Sequence, residues 1–127
     1  MSLRRIDPYL AADAMAVHRV ALDDRCWLKR TPEGELKGCA IGALFYSHYA
    51  DVPLDAGDVV EWAREYTGSG QYIQGFDVGF HRFEPSETST HDYTLGLADG
   101  QFTRLIVEQP SACRPALWCW HGREEKE

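Results

Sequence analysis

The chain has 127 residues, of which 44% are hydrophobic and 26% charged, ordinary values for one soluble domain large enough to bury a core. With the histidines neutral, 13 basic and 20 acidic residues give a net charge of −7, which argues against a broad nucleic-acid face and against docking on anionic lipid. Four cysteines are too sparse for a disulfide framework, and no apolar run reaches the roughly 18 residues of a membrane span. Met1–Arg5 leads into an amphipathic segment instead of an apolar signal core, so a cytoplasmic chain with reduced thiols is expected.

The charge is uneven. Residues 1–50 hold seven basic and six acidic groups, whereas residues 51–100 hold only Arg64 and Arg82 against ten acids. Residues 101–127 carry four of each. The acidic excess therefore belongs to the middle of the chain, where it is either a solvated surface or a docking face for a basic partner.

Asp7-Pro8 has the N-cap and N1 chemistry of a helix start. Leu10, Ala14, Val17 and Ala21 then form one apolar stripe that carries the first helix to Asp23-Asp24. Residues 25–30 read as a short strand, Thr31–Gly34 as a turn, and Glu35-Leu36-Lys37 as its exit. Cys39–Ala50 is apolar all round and predicts a buried helix, with a buried strand as the alternative for part of the run, His48 beside Phe45 on a core face and Gly42 allowing close packing. Asp55 and Asp58 suit a helix N-terminus, and Val59, Trp62, Ala63 and Tyr66 follow at helical spacing. Thr67–Gly70 ends that helix, whose outer face shows Asp58, Glu61 and Glu65.

Beyond Gly70 the pattern changes. Phe76, Val78 and Phe80 alternate with polar or small residues, as in a half-buried strand. Residues 84–91 read as a polar loop. Runs 93–98 and 101–108 flank Asp99-Gly100, a type I′ hairpin signal, and Ala116–Trp120 suits a last strand. The expectation is an α+β fold with N-terminal helices packed on one face of a C-terminal antiparallel sheet. It forms a single domain over residues 1–122, with a charged tail at 123–127.

No dinucleotide, phosphate-loop or zincin motif is present, so no cofactor is expected. Cys113, Cys119 and His121 fit structural zinc spacing poorly, and no metal is expected. Asp77 and His81 are four apart, sharing a face on a helix but lying along an exposed edge on a strand. Cys39 precedes a helical run, where the dipole and free N–H groups favour a thiolate. His91, ahead of an expected strand, is a candidate partner, with Gln101, Asp92 or Asp99 to orient the imidazole.

Over residues 38–108 this layout resembles the papain-like cysteine hydrolases of the NlpC/P60 type. There the nucleophilic cysteine starts a helix and a histidine begins a later hairpin strand. The family's Asp-Cys-Ser-Gly stands here as Gly38-Cys39-Ala40-Ile41. The resemblance implies a hydrolase or amidase using Cys39, His91 and Gln101. A second, local resemblance covers residues 25–46: Cys39-Ala40-Ile41-Gly42-Ala43-Leu44, after Trp27 and a Gly34 turn, is similar to a core helix in uncharacterised small bacterial and phage-encoded proteins. It implies no reaction. The leading expectation is thus a protein-interaction module of prokaryotic or phage type, such as a phage or mobile-element inhibitor. It docks a basic partner on Asp55, Asp58, Glu61 and Glu65, and the cysteine hydrolase is the alternative.

Overall fold

The computed structural model describes residues 3–49, 56–85 and 90–108. Helix α1 spans Pro8–Val17. Asp7 caps it by accepting the Tyr9 N–H at 2.9 Å, with Pro8 in the first turn. It ends earlier than the apolar stripe suggested. His18 is the C-cap, and Arg19 turns the chain in a left-handed conformation, φ 54°. The face it buries carries Ala11, Ala12, Ala14 and Met15, while Leu10 and Val17 are exposed.

Three short strands follow: β1 Val20–Leu22, β2 Leu28–Arg30 and β3 Leu36–Gly38. Strand β3 is central, parallel to β1 and antiparallel to β2, so the order is β1-β3-β2. The β2–β3 turn has Gly34 at φ 89°, and the Thr31 side chain accepts the Glu35 N–H at 3.0 Å. Helix α2, Ala40–His48, leaves β3 directly with Cys39 as N-cap. Its residues Ala40–Phe45 are all buried, as expected for a helix apolar all round. Gly42 lies against the Trp27 carbonyl, where a Cβ would overlap it. His48 departs from expectation, since it is exposed at the end of α2.

Helix α3, Ala56–Thr67, buries Val59 and Ala63 and stops where Gly68 takes φ 77°. Ser69 caps α4, Gly70–His81, by accepting the Tyr72 N–H at 3.1 Å. The final described element is α5, His91–Glu108.

The sheet is thus N-terminal and small, and the C-terminal half of the described chain is helical, reversing the expected order. Phe76–Phe80 lies within α4, and the expected hairpin around Asp99-Gly100 is one continuous helix. The expected strand at 116–120 and the charged tail lie outside the described residues.

Packing explains why these segments are helical. Gly75 and Gly79 on α4 face Gly96 and Gly100 on α5. A Cβ at Gly75 would overlap the Tyr93 carbonyl, and at Gly79 that of Leu97; at Gly96 and Gly100 it would overlap those of Tyr72 and Phe76. Contacting positions rise together along both helices, so α4 and α5 run parallel. Each glycine costs about 1 kcal/mol of helix propensity relative to alanine. Spaced four apart on both helices, however, they let two backbones touch, and close packing with Cα–H···O contacts offsets that cost. Asp99 then ties the pair to the N-terminus. It accepts the Tyr72 hydroxyl at 2.5 Å and a bidentate Arg5 at 2.7 and 2.9 Å, while the Tyr72 oxygen accepts the Ile6 N–H at 2.8 Å. Burial, followed by the Asp99 bond, pushes the Tyr72 hydroxyl above its ordinary pKa. One core joins the elements, with Ile6, Met15, Leu28, Ile41, Val59, Phe76 and Phe80 among its members.

Candidate functional site

The end of α2 and the outer face of α3 enclose a shallow groove of about 400 Å³. Helix α3 supplies Asp58, Glu61, Trp62 and Glu65; α2 and its C-cap supply Phe45 and Tyr49. Helical spacing builds this wall, because positions 58, 61, 62 and 65 fall on one stripe while Val59 and Ala63 turn inward. The three carboxylate residues are exposed, and none of the ion pairs found among the described residues engages them. Asp55, the fourth expected binding residue, lies outside the described residues.

The groove floor is aromatic. Trp62 packs edge-on to Phe45 at 5.8 Å between centroids and lies 4.9 Å from Tyr66 and 5.3 Å from His48. Further along the same row, the Arg4 guanidinium sits 4.0 Å from the Tyr66 centroid. This surface therefore already holds one arginine in a cation–π contact. The sequence placed the three acids on the outer face of α3 and Trp62 and Tyr66 at its helical spacing, without joining the two sets in one groove. Trp62 and Tyr66 are half-buried, and the i, i+4 spacing of Asp58 and Trp62 was the available signal.

The expected catalytic residues do not come together. Cys39 is 2% exposed at the start of α2, so a substrate carbonyl has no approach to its sulfur. Its imidazole partner is His81. His91 is the exposed first residue of α5. It lies about 20 Å along the helix axis from Arg104, at 1.5 Å per residue, and Arg104 is the α5 residue that reaches the His81 end. Gln101 is exposed on α5, and Asp99 is engaged by Arg5 and Tyr72.

His81 is instead the buried centre of an ionic cluster whose carboxylates are partly exposed. Its Nδ1 lies 2.5 Å from Asp24 and its Nε2 3.2 Å from Asp77, the residue one helical turn earlier. Arg104 donates to Asp24 at 2.9 Å, to the Phe80 carbonyl at 2.8 Å and to Glu108 at 2.9 Å. Arg82 closes on Glu108 from the other side. Burial disfavours the charged imidazole, but bonding to Asp77, Cys39 and Asp24 outweighs it and pushes the His81 pKa up to about 10. Burial likewise opposes the Asp24 carboxylate, but Arg104 and His81 hold its pKa below the ordinary value. A ring already protonated at neutral pH accepts no further proton, so His81 is no general base there. The cluster joins the β1–β2 loop to the ends of α4 and α5.

Among the described residues no group of three or more His, Cys, Asp and Glu side chains could hold a metal ion, and no helix is long and apolar enough to cross a membrane. No protein-family model matches the chain, and neither does any curated protein or solved structure.

Proposed function

We propose that the chain is a protein-interaction module whose α2–α3 groove receives an arginine or lysine side chain from a basic partner surface. The observation that carries this reading is the convergence of Asp58, Glu61 and Glu65 with Phe45, Tyr49 and Trp62 in one groove. Carboxylates attract a cation over distance, and a half-buried indole holds it by cation–π attraction and apolar contact with its methylene stem. Hot spots take this form: an aromatic anchor surrounded by charges that steer the encounter.

The test is calorimetric titration with an arginine-rich peptide and its citrulline counterpart. Binding should require the guanidinium charge and weaken several-fold as salt rises from low to physiological strength. Trp62→Ala should weaken it at constant salt dependence, whereas Glu61→Lys combined with Glu65→Lys should abolish it. Equal binding of the citrulline peptide, or binding indifferent to both salt and charge reversal, would overturn the reading.

A further inference from the structure

The structure holds a second cleft, of opposite charge, in the N-terminal half of the chain. It measures about 470 Å³ and lies between the end of α1, the three strands and α2. Arg19, Arg30 and Lys37 line it, together with His18 and Tyr46, and Glu35 is the one acidic residue among the described lining residues. We infer that this cleft binds a small organic phosphate.

Three observations support the assignment. First, the cations lack counter-ions. Arg5, Arg25, Arg82 and Arg104 each meet a carboxylate, but none of the ion pairs found among the described residues involves Arg19, Arg30 or Lys37. In a chain of net charge −7, three such cations in one cleft form a local positive field that Glu35, among the described lining residues, offsets only in part. Lys37 also stands directly opposite Lys29 in the β2–β3 register, a like-charge pair that weakens a sheet unless an anion offsets it.

Second, the cleft is built on strained backbone. Arg19 holds φ 54°, a left-handed conformation that glycine or asparagine adopts more readily. Such strain concentrates where a side chain must be aimed. The two arginines and the lysine approach from different elements. Arg30 is steadied by the Gly34 carbonyl and the Tyr46 hydroxyl, both at 3.4 Å.

Third, size and walls select the ligand. The volume lies in the range of small-molecule sites. Tyr46 and His18 stand edge to face at 5.0 Å, giving an organic group a flank beside the cationic end. Guanidinium forks match phosphate oxygens in bidentate fashion, and a lysine adds a point charge. A nucleic-acid polymer needs a row of cations longer than these three, and the chain as a whole has a net charge of −7, so a compact ligand is favoured over a strand.

The experiment is calorimetric titration of the full chain with pyrophosphate, ADP, citrate and a short single-stranded oligonucleotide, with melting temperatures taken in parallel. Pyrophosphate and ADP should bind, ADP more tightly, and citrate at least tenfold more weakly than either. Arg30→Gln should weaken ADP binding at least tenfold. Arg19→Asn removes a charge while suiting the left-handed backbone, so it should keep or raise the melting temperature and still weaken ADP binding at least fivefold. Absence of pyrophosphate and ADP binding at millimolar concentration would overturn the proposal. So would citrate binding as tight as pyrophosphate, oligonucleotide binding tighter than ADP, or Arg19→Asn and Arg30→Gln binding ADP as the natural chain does.

Discussion

His81 shows how one side chain acquires its role from its surroundings. Its two ring nitrogens face Asp24 and Asp77, so the folded chain holds it as an imidazolium, while an unfolded histidine titrates near pH 6.5. Because its folded pKa of about 10 is raised, its contribution to stability is fully present below about pH 6.5 and is lost as pH rises through 10. Denaturant unfolding should therefore show stability falling by an amount on the order of a few kcal/mol between pH 7 and 10, with His81→Asn flattening that slope. Cysteine chemistry gives a second prediction. Cys39 is buried and Cys26 half-buried, with burial raising the Cys26 pKa. Peptide mapping after iodoacetamide treatment of the native chain should find Cys26 modified slowly, faster as pH rises, and Cys39 protected until unfolding. Here the sequence was partly legible. The i, i+4 spacing of Asp77 and His81 was visible, but its meaning depended on whether that segment was a helix. The pairing of Cys39 with His81 joins positions 42 residues apart, and no local pattern encodes it.

At the scale of elements, α3 was readable because its periodicity, start residues and stop signal agree, and α2 because its run is apolar all round. Asp7-Pro8 marked the start of α1 through its cap chemistry, although the stripe read as extending it to Asp23-Asp24 includes the exposed Leu10 and Val17. The α4–α5 pair was not readable. Gly75, Gly79, Gly96 and Gly100 look like breaks or turns when only local propensity is weighed, and Asp99-Gly100 mimics a hairpin. Their role is set by another helix: each glycine lies where the partner backbone leaves no room for a Cβ. Gly96→Ala gives a decisive sign. Propensity alone would stabilise the helix by about 1 kcal/mol, whereas forced separation of the helices should destabilise the fold by about 1–3 kcal/mol. Thermal and urea unfolding of Gly96→Ala and Gly79→Ala should both show a loss. Ala98→Gly, at an exposed position on α5, should cost only its propensity, about 1 kcal/mol.

Over the whole molecule, the net charge of −7 conceals a separation. Acidic residues border the α2–α3 groove, while cations that join none of the ion pairs among the described residues gather where the sheet meets α1 and α2. Dividing the sequence by charge located the acidic block and placed Asp58, Glu61 and Glu65 on an exposed face. It did not reveal the cationic cleft, because residues 1–50 are nearly neutral in sum and the cations meet only through the sheet. The acidic groove is the centre of the functional account, and its most direct test is to locate a bound arginine. Amide and indole resonances of the labelled chain should be followed during titration with a Gly-Arg-Gly peptide, the Trp62 indole being assigned with Trp62→Phe. The account predicts saturable shifts centred on Trp62, Tyr49 and the Asp58–Glu65 face, diminished by salt and absent in Glu61→Lys/Glu65→Lys. Shifts that leave the Trp62 indole unmoved, or that survive charge reversal, would contradict it.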